Sequence, residues 1–515
     1  MNIRQPRAFS PLFALLALAA VTSLTAQERR PDYITRQLPR IPAPFARTEI
    51  VDDPSFSPSS IVAADPTLPA RLQQALEKAL AGVDVRARHG VLASVIAPGL
   101  GQWNSAAGYS DSVGPAMADM RFQIGSISKT FIAATMFQLV EEGKLSLSDS
   151  LHAWLPSYAN IDSTITIRQL LGHTSGVFDF LNDDRTGDLI SDAYLFHPDK
   201  FWTPEEILSK HIGTPNFKPG KGTQYSNTGY TLLGSIIEHV TGHPVGQEIR
   251  NRFLTPLNLS GTYPGWESDQ ATGKLVDGWS TGFNADTMKQ ANVSSIPTTA
   301  ALSMAWTAGG MVSTAGDIAR WADALYRNGG VLKDSSLKAM LTFRSTSDGD
   351  MGLGAFRYHY YSKIAYGHTG GILGYSSWVL SIPKDSVTVS VLVNSFHPYI
   401  DDGAQAFMTA LLAEVYKPVS GTDAGTARAA TMELHNTPNP FRGGTAISFS
   451  IPAREHVTLE IFNALGRNVA MPVNDDLEAG AHSVTADLNG LPAGTYFSVL
   501  RAGGKREVRA MQLER

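Results

Sequence analysis

RFQIGSISKTFIAATMFQLVEEG, Arg121–Gly143, starts like a strand, breaks at a glycine and continues as an apolar helix. Ser126 and Lys129 stand three residues apart at the start of that helix, so both side chains lie on one face. A helix N-terminus is electropositive and stabilises negative charge developing on or near a serine oxygen. The same field, together with any burial, lowers the pKa of the lysine. An unperturbed lysine at about 10.4 is less than ~0.1% neutral at pH 7, so service as a base needs a fall of roughly 3 units, ~4 kcal/mol. The spacing alone is weak evidence, because Ser335–Lys338 repeats it inside the hydrophilic stretch GGVLKDSSLKAM. That copy reads as a helix cap with a surface lysine. The Ser126 copy differs in its setting, between a strand and a buried helix.

Two further elements stand downstream. Y-x-N occurs at Tyr158–Asn160, Tyr225–Asn227 and Tyr326–Asn328. The middle copy, in GTQYSNTGYTLLG, enters a buried helix from a glycine-rich loop, where a phenol can point into a cleft; the other two read as structural. In YGHTGGILGYSSW, Tyr366–Trp378, the residues His368, Thr369 and Gly370 precede a strand, and the glycines permit close approach of a substrate backbone. His173, in GHTSG, is open to two readings, a general base of a Ser-His-Asp set or a structural loop residue. The second is preferred, since no G-x-S-x-G elbow is present. Trp306, Phe178 and Tyr375 fit a cleft lining and core packing equally well.

Around these motifs the chain organises into parts. Arg4 and Arg7, the apolar run Pro11–Val21 and the small residues Thr25 and Ala26 predict a signal peptide over residues 1–26. Proline-rich residues 27–65 predict an extended leader. Helical spacing from Leu68, strands over Val91–Ala97 and up to Tyr109, a helix near Ser126, another from Ser226, the N-cap pattern S-T-A-G-D at Ser313–Asp317, strands over Ser376–Ile382 and Val387–Ser395, and a last helix over Ala404–Tyr416 predict an α+β domain over residues 66–416. Small polar residues predict a linker over 417–432, and period-2 runs such as VTLEIFN and TYFSVLR predict a small β-sandwich over 433–515.

Composition narrows the function. A formal net charge of −5 and the lack of a basic run argue against nucleic acid as a partner. Zero cysteines exclude thiolate metal sites, disulfides and cysteine nucleophiles. No H-E-x-x-H occurs, and GTPNFKPGKGT lacks the spacing of a P-loop, so neither a metal nor another cofactor is expected.

S-x-x-K, then Y-x-N, then H-T-G, in that order and widely spaced, resembles the serine β-lactamase and penicillin-binding-protein superfamily, most closely its class C β-lactamase and DD-peptidase branch. LLGHTSGV (Leu170–Val177) and TAGGMVSTAGDIARW (Thr307–Trp321) are similar to further landmarks of that family. The resemblance implies a β-lactamase/transpeptidase-like domain, an antiparallel sheet flanked by helices with an all-helical part. It implies Ser126 as nucleophile forming an acyl-enzyme, with Lys129 and Tyr225 moving its proton. It also implies that Asn227 holds a substrate amide, that His368 with Thr369 and Gly370 meets the leaving or carboxylate end, and that the N–H groups of Ser126 and Gly371 form the oxyanion hole. His368 stands where β-lactamases usually carry lysine, and Gly371 where serine or threonine is frequent. The expectation is therefore a DD-carboxypeptidase-like or D-amino-acid peptide hydrolase acting on small peptides, peptidoglycan stem peptides among them. A short-chain carboxylesterase, a weak β-lactamase and a silent binding protein are the alternatives. Pro438–Phe441, Asn463–Arg467 and Leu491–Tyr496 resemble marks of a type IX secretion sorting domain, an immunoglobulin-like substrate-binding module being the other reading. A sorting domain implies export through the periplasm to the cell surface or medium, with the type IX machinery as a partner.

Overall fold

The computed structural model describes residues 65–417 and 433–514 apart from short internal stretches such as 281–290. The expected signal peptide, nearly all of the leader and the linker beyond Lys417 lie outside the described residues. The chain divides into two compact units at Pro418/Val419.

The first unit is built on an eight-stranded sheet. Its strands are β1 (Gly90–Ala97), β2 (Gly101–Gly108), β3 (Arg344–Thr346), β4 (Gly349–Met351), β5 (Phe356–Tyr360), β6 (Lys363–Ile372), β7 (Tyr375–Ile382) and β8 (Val387–Val393). Their spatial order is β2-β1-β8-β7-β6-β5-β4-β3, and every neighbouring pair is antiparallel. Central β7 and β8 are buried at every position, which is why they read as continuous apolar runs rather than alternating ones. On β8, Thr388 and Ser390 bond Asp323 and the Ala315 carbonyl, while Val387, Val389 and Val391 point to the opposite face.

The longer helices of the described residues pack around this frame. α1 (Leu68–Gly82) and α6 (Ala404–Tyr416) pack on each other and on the sheet, and α5 (Ala315–Tyr326) lies against β1, β7 and β8. The Thr314 side chain caps α5 by accepting from Asp317 N–H, as the S-T-A-G-D pattern predicted. α2 (Ser128–Glu141), α3 (Asn227–Thr241) and α4 (Thr298–Gly309) form a mutually packed helical part. Its core includes Phe131 stacked on Trp321 with ring centroids 4.0 Å apart. One expectation shifts here, because Ser126 does not open the α-helix but sits in a 3-10 turn, Gly125–Ile127, just ahead of α2. A second changes as well. Ser335 lies inside the helix Asp334–Met340, whose N-cap is Lys333, so it caps nothing.

The second unit holds a three-stranded sheet (Glu433–Thr437, Gly444–Ile451, Gly480–Asp487) and a four-stranded one (Glu455–Asn463, Asn468–Leu477, Gly494–Ala502, Lys505–Leu513). Leu434, Ile447 and Phe449 from the first share a core with Leu459, Ile461 and Leu500 from the second, as in a small sandwich.

Candidate active site

The turn carrying Ser126 is held on two sides. Ile124 N–H donates to the Met311 carbonyl (3.0 Å), and Ser377 Oγ on β7 donates to the Ile124 carbonyl (2.8 Å). Ser128 Oγ bridges the turn, donating to the Gly125 carbonyl (2.7 Å) while accepting from Met311 N–H (3.1 Å). Gly125 has φ +51°, and a Cβ built on it would lie 2.8 Å from the Gly371 nitrogen. One built on Gly370 would lie 2.1 Å from the Ile124 carbonyl oxygen. The bare backbone of β6 is thus seated directly on the serine turn, an approach that side chains at these two positions would forbid.

Lys129 is fully buried. Its Nζ donates to Ser126 Oγ (3.0 Å), to Asn227 Oδ1 (2.7 Å) and to the Ala308 carbonyl (2.5 Å). That carbonyl belongs to the last turn of α4, where intrahelical partners run out. Trp306, two residues earlier, takes the non-helical angles φ 35°, ψ −125° that kink the helix there. Burial lowers the Lys129 pKa from 10.5 to about 7, with the Asp179 charge acting in the opposite direction.

Tyr225 and Asn227 come from the start of α3. The Ser226 side chain caps that helix by accepting from Gly229 N–H. The Tyr225 ring lies 4.8 Å from Lys129 Nζ and stacks on His173, centroids 4.3 Å apart. Burial pushes its phenol well above the ordinary range, tempered by the neighbouring Ser126 hydroxyl, so the proton stays on through neutral pH. His173 itself has φ 54°, and its Nδ1 accepts from Ser226 N–H (3.1 Å). Burial first, then the charge of Lys129, holds its pKa well below 6.5. With Nδ1 committed to a backbone donor and the ring against Tyr225, the geometry matches the loop reading of His173 and gives it a support role.

His368 and Thr369 are also buried. His368 Nδ1 lies 2.5 Å from the Thr369 carbonyl, which only a protonated Nδ1 can approach favourably. Burial, then Lys129, brings the imidazole pKa down to about 3, so the ring is neutral and Nε2 is an acceptor. Tyr225 Oη, His368 Nε2 and Thr369 Oγ1 have no regular hydrogen-bond partner among the described residues. Left unpaired in this cluster, these atoms are available to bond a ligand.

The other candidates fall outside this cluster. Tyr158 Oη donates to Glu205 (2.8 Å) and Asn160 Nδ2 to the Ile212 carbonyl (2.9 Å), while Asn328 lies outside the described residues. Trp306, Phe178 and Tyr375 belong to the hydrophobic core. Sequence reasoning missed Asp179, 3% exposed, whose carboxylate accepts from Asn227 Nδ2 at 3.2 and 3.1 Å. A single acid inside the apolar run VFDFL, Val177–Leu181, was the available signal, since a buried carboxylate needs a partner.

Among the described residues no group of three or more metal-ligating side chains converges, and no helix is long and apolar enough to cross a membrane.

Known proteins share this fold. The beta-lactamase family matches residues 72–414, and the secretion system C-terminal sorting domain matches residues 437–513. PbpX of Bacillus subtilis is 28% identical over 279 residues, 53% of this chain and 62% of that protein. Penicillin-binding protein 4 of Amycolatopsis lactamdurans is 32% identical over 151 residues, 27% of this chain and 35% of the relative. The chain thus spans less than two thirds of these curated relatives. Among solved structures, a D-stereospecific amidohydrolase from Streptomyces sp. is 31% identical with a TM-score of 0.57, covering 67% of this chain and 98% of its own. The D-amino acid amidase of Ochrobactrum anthropi SV3 is 28% identical with a TM-score of 0.58, covering 68% and 98%.

Proposed function

Since this chain belongs to the beta-lactamase family, we propose that it is an exported serine hydrolase cleaving amide bonds of D-amino-acid peptides or amides through a Ser126 acyl-enzyme. The observation that carries this reading is the buried Lys129, bonded at once to Ser126 Oγ, Asn227 Oδ1 and the Ala308 carbonyl. A neutral lysine has two N–H bonds and one lone pair. The two oxygens that can only accept take the N–H bonds, and the lone pair then faces the serine hydroxyl. With its pKa brought down to about 7, the amine has a substantial neutral population at physiological pH.

Ser126 Oγ attacks the carbonyl carbon as Lys129 takes its proton, and the carbonyl electron pair moves to oxygen. The N–H groups of Ser126 and Gly371 hold that oxyanion. Its collapse breaks the C–N bond, and the leaving amine receives a proton through the Tyr225 phenol, which burial keeps protonated. Water then attacks the ester by the reverse relay, releasing the acid and restoring Ser126. Asn227 holds the substrate amide, and the open polar atoms of His368 and Thr369 with the backbone of Gly370 meet the leaving side.

The leaving side separates two substrates. A DD-carboxypeptidase must hold a free carboxylate, and the penicillin-binding relatives favour that choice. A neutral His368 that presents an acceptor repels a carboxylate and suits an N–H donor, which supports D-amino-acid amides and peptides as the first choice. The apolar run Pro11–Val21 and the sorting-domain match support export to the cell surface or medium.

The test is turnover of D-phenylalanine amide beside acetyl-D-alanyl-D-alanine, with intact mass of the protein mixed with benzylpenicillin. The reading expects amide turnover, a Ser126-dependent adduct and loss of both in Ser126→Ala. An adduct that persists in Ser126→Ala would overturn it. Turnover of the D-alanyl-D-alanine peptide alone would move the substrate to the carboxypeptidase reading. Recovery of the hydrolase domain in the cell medium, lost on deleting 433–515, checks the export route.

A further inference from the structure

We propose that Asp179 is a positioning residue for the Lys129 base, acting through the side-chain amide of Asn227. An asparagine amide has two ends of nearly equal shape, one acceptor and one donor, and nothing in Asn227 itself chooses between them. The choice matters at this position. With Oδ1 toward Lys129 the amine finds an acceptor at 2.7 Å; with Nδ2 there, donor would face donor and Lys129 would turn its lone pair away from Ser126. An ionised carboxylate can only accept, so Asp179, taking Nδ2 of Asn227 on both oxygens, removes the second orientation.

Asp179 is itself fixed. Its Oδ1 accepts from Leu181 N–H (3.1 Å), and the neighbouring Phe180 N–H donates to Thr228 Oγ1 of α3 (3.2 Å), tying the loop to the helix that carries Asn227. The carboxylate also acts through its charge. Lys129 is faced by Asp179, by the imidazoles of His173 and His368, and by the phenols of Tyr225 and Tyr230. Burial keeps both imidazoles neutral and both phenols protonated, so Asp179 supplies the negative charge that offsets part of the desolvation of the ammonium. Burial raises the pKa of Asp179 above the usual carboxylate value, an effect that the Leu181 N–H, Lys129 and Asn227 offset only in part. Asp179 is therefore placed to set both the direction of the lysine lone pair and the pH at which that pair appears.

This inference rests on the Ser126–Lys129 reading, and the experiment separates the two. The readout is the rate of Ser126 labelling by a fluorophosphonate probe, in which Oγ displaces fluoride from phosphorus, followed by intact mass across pH 5–9. The parent should label at Ser126 with a rate that climbs through pH about 7. Asp179→Asn should lower the plateau at least ~10-fold. It should also move the acidic limb about one pH unit lower, because losing a negative charge makes the ammonium less favourable. Asp179→Glu, which keeps the charge, should hold the limb within about 0.3 unit of the parent while lowering the plateau. On an Asn227→Ala background, Asp179→Asn should cost less than about twofold more, since the amide it orients is gone. An unchanged plateau and limb in Asp179→Asn, or its full loss persisting beside Asn227→Ala, overturns the proposal. Should Asp179→Asn show no cooperative melt, Asp179→Glu decides, and a limb displaced by a unit or more overturns it. A parent that never labels at Ser126 sinks the acyl-transfer reading instead.

Discussion

Ser126–Lys129 and Ser335–Lys338 are the same four-residue pattern, and the fold treats them oppositely. Ser335 and Lys338 are exposed on the short helix Asp334–Met340. Lys129 is buried, touches three oxygens and faces two aromatic rings. The spacing that brings serine and lysine together is local and common. Desolvation, which makes a lysine a usable base, depends on what packs around it. The three Y-x-N copies repeat the lesson, because Tyr158 spends its hydroxyl on Glu205 whereas Tyr225 keeps its own open beside Ser126.

The sharpest break of this comparison is at the two serine–lysine pairs. Ser126→Ala, or Lys129→Arg, whose guanidinium cannot lose its proton, should cut amide turnover at least ~10³-fold. Ser335→Ala and Lys338→Arg should stay within about twofold, as surface changes do. Comparable losses at both pairs would remove the distinction between them. Next in size, Tyr225→Phe removes the relay proton and should cost ~10²-fold in kcat, against no more than about twofold for Tyr158→Phe, whose hydroxyl serves a surface contact. A Tyr225→Phe enzyme with full kcat would end its proposed role.

The smallest effect is expected at His173. His173→Phe keeps the ring against Tyr225 but leaves the buried Ser226 N–H without its acceptor. It should lower stability by about 1–3 kcal/mol in urea melts. Activity should fall roughly tenfold as Tyr225 loosens, well short of what loss of a general base would cost. Loss on the scale of Ser126→Ala would restore the Ser-His-Asp reading.

Much of the fold was legible because its main elements carry strong local signals. The apolar face of α1 with Leu72 and Leu76 and the continuous runs of β7 and β8 need no partner to be recognised. Two-residue strands such as Tyr263–Pro264 and Trp279–Ser280 were not, since so short a segment has no period. The sandwich strand Asn468–Leu477 was hidden for another reason. It buries no residue fully and ends in Asn474, Asp475 and Asp476, so no alternation of apolar residues announces it.

By itself the sequence determined the order of the motifs, the i,i+3 pairing of Ser126 with Lys129 and the glycines that let two backbones touch. These follow from backbone geometry and from the absence of a Cβ, both properties of neighbouring residues. Only the tertiary structure decided which serine–lysine pair is buried, which end of the Asn227 amide faces the lysine, and that the backbone at Gly371 meets the serine turn. Lys129 and the Ala308 carbonyl are separated by 179 positions, and Asp179 from Asn227 by 48. A pKa and an amide orientation are set by charges and hydrogen bonds acting through space. Such groups are far apart in the chain, so no local window of sequence contains them.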